Sequence, residues 1–165
     1  MDHRYRAFSL LFRPYTTSTG TVSFIVRLVV GYGFIQHGLA KVLNGPDRFA
    51  ASLSGLGVPS PDIMSWVTIA AELLCGFAVL VGAFVPLMCI PMAIILVTAM
   101  LYVHLPFGFS SVKLQAVTSE GIKFGPPGYE VILLYLVCLS TLVILGAGPL
   151  SVDGWLKNKL NLKIK

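Results

Sequence analysis

Residues 21–41 read TVSFIVRLVVGYGFIQHGLAK. The stretch is almost wholly apolar, and at ~1.5 Å per residue it matches the ~30 Å hydrocarbon core of a bilayer. Yet it carries Arg27 within it and Gln36, His37 and Lys41 toward its end. A central Arg costs roughly 2.5–3.5 kcal/mol on insertion, so the helix must turn Arg27 toward protein or trapped water. At ~100° per residue, Arg27, Gly31, Phe34, Gly38 and Lys41 share one stripe. Glycines on that charged stripe point to a second helix packed closely against it.

Working outward, the rest of the chain repeats the apolar pattern. It is 165 residues long, 56% hydrophobic and only 12% charged, with a mean hydropathy of +0.84. A soluble domain carries about 25% charged residues, so the fold class is all-α integral membrane. Spans are expected at about 21–41, 62–85, 87–105 and 130–147, giving a four-transmembrane-helix bundle over residues 21–156. Asp62 is the expected N-cap of the second span, and Pro86 and Pro91 mark the tight connection to the third. The segment 44–61 is a Gly-, Pro- and Ser-rich loop with a short helix around 49–53. The loop 107–129 alternates apolar and polar residues around Ser119-Glu120-Gly121, a β-hairpin signal.

Charge sets the orientation. The termini carry Arg4, Arg6, Arg13, Lys157, Lys159, Lys163 and Lys165, against Lys41, Arg48, Lys113 and Lys123 in the two opposite loops. The positive-inside rule then places both termini in the cytoplasm and the two long loops outside. Residues 1–20 form a cytoplasmic tail, with an interfacial helix around 8–12, and 157–165 a basic tail. The net charge of +5 is thus a membrane-topology signal and no sign of nucleic-acid binding. Cys75, Cys89 and Cys138 lie in or beside apolar runs and form no CxxC pair, so they read as packing residues.

Two intramembrane charges need partners. A second stripe of Ser65, Thr68, Glu72, Cys75 and Gly76 faces the first, and counting depth inward from the two helix ends brings Glu72 within reach of Arg27. The expectation is an Arg27–Glu72 pair in the bundle interior, acting either as a site or as an inert brace. Above it, His37, His104 and Glu130 stand near helix ends, with Lys41 about one turn beyond His37. Together they would line an externally open pocket. His37, Glu72 and His104 are the candidate catalytic groups, and Arg27, Lys41 and Glu130 the candidate ligand-binding groups. The plainer readings are interface anchoring for the histidines, snorkelling for Lys41 and a helix N-terminal charge for Glu130. Two histidines on different helices with no HxxH pair give no metal signature.

These residues resemble a known family. Arg27…Gly31…His37-Gly38…Lys41, Gly57-Val58-Pro59, Glu72…Gly76…Leu80…Gly82 and Gly128-Tyr129-Glu130 resemble the DoxX family of small four-span membrane proteins. So does the close, Gly146-Ala147-Gly148-Pro149-Leu150-Ser151-Val152-Asp153, a small variation on a Gly-x-Gly followed by Ser-x-Asp. The resemblance covers roughly residues 27–156. It implies a bacterial or archaeal plasma-membrane protein similar to small membrane subunits of quinone-linked oxidoreductases. Relatives are associated with thiosulfate:quinone oxidoreductase and with complexes handling thiol and oxidative stress. The implied ligand is a quinone or a small reductant. Candidate partners are the lipid bilayer, a protein of a redox complex and a second copy of the chain. A non-enzymatic scaffold for a soluble enzyme is the alternative, and a small-solute carrier a weaker one, since neither a broken-helix pair nor an inverted repeat is evident.

Overall fold

The stripe through Arg27 and Gly31 is the inner face of the first helix. The structure, a computed structural model, describes residues 19–119, 121–148 and 150–159. The expected helix around 8–12 and most of the basic C-terminal tail lie outside the described residues. Helix α1 is Thr19–Asn44, longer at both ends than expected, and it buries Ser23, Arg27, Val30, Gly31, Phe34 and Gly38. Helix α2, Pro46–Gly55, follows after Gly45 and extends the expected short helix. Helix α3, Pro61–Val81, buries Ser65, Ile69, Glu72, Cys75, Gly76 and Val79. Its cap position is Ser60, in the left-handed region; Asp62 sits inside the first turn and is not the N-cap.

Helices α1 and α3 run antiparallel at close range. A Cβ on Gly31 would stand 2.7 Å from the Gly76 carbonyl oxygen and 2.8–2.9 Å from Leu80 backbone atoms, and one on Gly76 3.0 Å from the Gly31 oxygen. Backbone cannot swing aside as a side-chain tip does. Gly31→Ala is therefore expected to cost about 1–3 kcal/mol, the usual penalty of overpacking. Titrating the micellar protein with sodium dodecyl sulfate measures it.

Helix α3 ends in a Schellman motif. Gly82, at φ 75°, lets its own N–H reach the Val79 carbonyl and that of Ala83 reach Ala78. The turn is only Gly82–Phe84, and α4 begins at Val85. Helix α4, Val85–Ala99, continues through a π-turn at Met100–His104 and a 3₁₀ turn at Leu105–Phe107. Pro86 opens α4 as expected, but Pro91 lies within it and is no part of the connection.

Strands β1, Leu114–Thr118, and β2, Gly121–Phe124, pair antiparallel, so the expected hairpin is present. Helix α5, Glu130–Leu145, then returns along the bundle, and α6, Val152–Lys159, closes the described chain. Helix α6 is an addition to the four expected spans. Its signal is Ser151, whose Oγ accepts the Gly154 N–H at 3.0 Å as an N-cap, with Asp153 in the first turn.

The four long helices close a ring in the order α1, α3, α4, α5. Val79, Val85, Met92 and Leu142 fill its middle, with Cys75 and Cys89 among them as free, buried thiols. The outer faces are apolar and exposed, including Leu74, Ile94, Val137 and Ile144. Thr19–Asn44, Pro61–Val81 and Val85–Phe107 are long and apolar enough to cross a membrane. Helix α5 is apolar but has only 16 residues, about 24 Å.

Candidate functional site

Side chains on a helix lean toward its N-terminus. On antiparallel neighbours this decides which charges meet. A Cβ on Gly38 would touch Leu73 and the Glu72 Cβ, so Glu72 lies level with Gly38. That is eleven residues, about 16 Å, from Arg27. Arg27 leans toward the start of α1 and Glu72 toward the start of α3, so the two lean apart. The expected Arg27–Glu72 pair is not formed.

Glu72 instead meets Lys41, whose own lean carries it back toward Gly38. The Lys41 ammonium donates to both Oε1 and Oε2 at 2.7 Å. The Glu72 side chain is 5% exposed and that of Lys41 22%. The ammonium also lies 5.1 Å from the Phe49 ring centroid, a cation–π contact from α2. Lys41 thus turns into the bundle and does not snorkel. Nearer the start of α3, the Ser65 hydroxyl donates to the Pro46 carbonyl at 2.9 Å, tying the start of α2 to α3.

Over this pair opens a cleft of about 340 Å³, whose lining includes His37, Lys41, Asn44, Arg48, Phe49 and Ser52. The volume is at the small end of the ~300–1,000 Å³ usual for ligand sites, enough for one ring and not for a long tail. Glu72 neutralises Lys41, so Arg48 leaves the cleft net positive, and the exposed His37 adds an imidazole to the lining. Such a lining can hold an anionic or carbonyl oxygen. Sequence reasoning missed Asn44, Arg48, Phe49 and Ser52. Asn44 closes α1, and the other three belong to a segment that reads as loop with a short helix around 49–53; the helix's earlier start at Pro46 brings them to the cleft.

His104 and Glu130 serve a different place. The His104 Nδ1 lies 2.9 Å from the Pro127 carbonyl oxygen, and the Glu130 Oε2 accepts the Ser111 N–H at 3.0 Å. Both fix the root of the hairpin to the ends of α4 and α5. They do not join the His37 cleft.

Arg27 sits at the opposite end of α1 and is 0% exposed. Its Nη2 donates to the Leu150 carbonyl at 2.5 Å, and its guanidinium lies 5.6 Å from the Phe24 ring. The Nε and Nη1 groups find no partner among the described residues. Residues 146–148 and 150–153 form a strap across this end. The Ser23 hydroxyl donates to the Gly146 carbonyl, and the Asp153 carboxylate accepts the Phe84 and Val85 N–H groups at 2.7 and 3.1 Å. The Asp153 N–H in turn donates to the Gly82 carbonyl at 2.9 Å. The Ser-x-Asp ending is therefore structural, because Ser151 starts α6 and Asp153 caps α4.

The order Arg27, Gly31, Gly38, Lys41, Glu72, Gly76, Gly82 is thus one continuous α1–α3 seam with a charge cluster at each end. A family model for DoxX matches residues 22–105, which hold that seam and just over half of the chain. The chain belongs to the DoxX family. An uncharacterized protein of Haemophilus influenzae is 26% identical to this DoxX protein over 143 residues, covering 84% of this chain and 85% of that one. No solved structure matches it. The family match ends at His104-Leu105, so the hairpin, α5 and the strap of this DoxX protein lie beyond the matched residues.

Proposed function

We propose that this DoxX protein is a multi-pass plasma-membrane subunit of a quinone-linked redox complex, and that the cleft over Lys41 and Glu72 receives the quinone head. Helix α5 acts as the fourth span, short but packed between α1 and α4. The start of α1 and the start of α6 both lie at the strap, which agrees with termini on one side, and the basic tails favour the cytoplasm. The observation that carries the reading is Lys41: an ammonium held by a buried carboxylate, opening onto a cleft of ring size. Arg48 places positive charge, and Lys41 a hydrogen-bond donor, against a ring oxygen that gains electron density on reduction, Phe49 offers a face to the ring, and His37 exchanges the proton. Electrons come from a partner subunit. In this reading Glu72 is a positioning group for Lys41. Arg27, His104 and Glu130 hold the architecture.

Reconstituted protein with a short-tail benzoquinone tests it. Added quinone is expected to raise the unfolding temperature and to quench intrinsic fluorescence. Arg48→Ala removes a charge-assisted hydrogen bond of about 1.5–3 kcal/mol, so affinity should fall about tenfold or more. Quinone that neither stabilises the protein nor distinguishes Arg48→Ala from wild type overturns the assignment.

A further inference from the structure

The hairpin owes its shape to a single irregularity. Leu114 pairs with Phe124, Ala116 with Lys123, Val117 with Ile122 and Thr118 with Gly121, with the register broken between Leu114 and Ala116. Leu114 and Val117 are three apart, and a regular strand would put them on opposite faces. The extra residue, Gln115, shifts the alternation, so both fall on the face that carries Ile122 and Phe124. That face is wholly apolar, with Leu114, Val117, Ile122 and Phe124 58–73% exposed. The other face carries Ala116, Thr118, Gly121 and Lys123. Among the described residues, nothing in the bundle covers either face.

The root of the hairpin is fixed. Beyond the His104 and Glu130 contacts, the Gly128 N–H donates to the Ser110 carbonyl, the Tyr129 N–H to Gly108 and the Gly125 N–H to Lys113. The Phe109 and Tyr129 rings meet edge to face, with centroids 5.7 Å apart. Val85–Phe107 has 23 residues, about 34 Å, so α4 ends just past a ~30 Å hydrocarbon core. Exposed apolar side chains recur along the connection from this helix to the hairpin, at Leu101, Leu105, Phe107, Phe109, Val112 and Leu114. The hairpin is thus anchored where this helix leaves the hydrocarbon core, with exposed apolar side chains on the segment between them.

We infer that the hairpin lies on the bilayer, its Leu114–Val117–Ile122–Phe124 face seated among the upper acyl chains and its Lys123 face toward water. Depth is limited by the free strand edges, whose N–H and C=O groups need water, so the hairpin rests at the interface and does not insert further. The occupant of the apolar face is lipid, which is present wherever the bundle is.

Single-tryptophan probes in a Trp66→Phe/Trp155→Phe background, reconstituted in phosphatidylcholine vesicles, test this. Ile122→Trp should lose most of its emission to lipid brominated high on the chain and little to lipid brominated near the methyl end, and should resist aqueous acrylamide. Lys123→Trp, on the opposite face, should behave the other way. Two probes equally open to acrylamide and insensitive to brominated lipid overturn the inference. So does an Ile122→Trp probe shielded from acrylamide yet unquenched by lipid, because protein then covers the face.

Discussion

Lys41→Met is expected to be more damaging than Glu72→Gln, although both break the same ion pair. The methionine strands a carboxylate that is 5% exposed, and removing one partner of a buried pair costs about 3–5 kcal/mol. The glutamine leaves a Lys41 side chain that is 22% exposed, lines the cleft and keeps an amide oxygen as acceptor. Its cost should be nearer 1–2 kcal/mol, that of an ordinary weakened hydrogen bond. Lys41→Met combined with Glu72→Leu should return to within about 1 kcal/mol of wild type, because an apolar pair of similar volume replaces a buried ionic one. Unfolding the micellar protein in dodecyl sulfate gives all three values. A reversed ranking of the single variants would mean that Lys41, and not Glu72, is the buried member.

Gly82→Ala is the second large effect. Gly82 has φ 75°, where a side chain costs roughly 1–2 kcal/mol. Its missing Cβ would also collide with the Arg27 Nη1 and the Ser151 Cβ. The guanidinium has no room to retreat, being fully buried, and Ser151 is held by the strap. Overpacking adds about 1–3 kcal/mol, for a total near 3 or more. Gly57→Ala is the control: it shares φ 75° but has no atom within 4 Å of the added carbon, so it should show the backbone part alone. Making Gly82→Ala in an Arg27→Ala chain should recover only the share due to Nη1, since the Ser151 contact and the backbone strain persist.

Much of this is legible in the chain. The apolar runs, the small-residue stripes on α1 and α3, the hairpin and the need to shelter Arg27 all follow from residue type and period. The pairing of charges does not. Counting depth from the helix ends assumes that α1 and α3 end level, whereas Ser65 lies level with Pro46 and α3 starts farther out. The lean of side chains toward each N-terminus then separates Arg27 from Glu72 and joins Glu72 to Lys41. His104 and Glu130 look like pocket residues because they sit at helix ends. Which loop they hold depends on contacts such as His104 with Pro127, and spacing within one segment cannot report those. Arg48 and Phe49 are hidden for the same reason.

The strap has a consequence for how the protein is made. Arg27 and the Leu150 carbonyl that receives it are 123 residues apart, as are Ser23 and Gly146. The first span leaves the ribosome and enters the translocon long before its acceptors have been synthesised. Until the strap docks, α1 rests in lipid with an unanswered charge. Assembly is therefore sealed from the C-terminal end, and a nascent chain cut short before Leu150 presents membrane quality control with a helix that has no settled place.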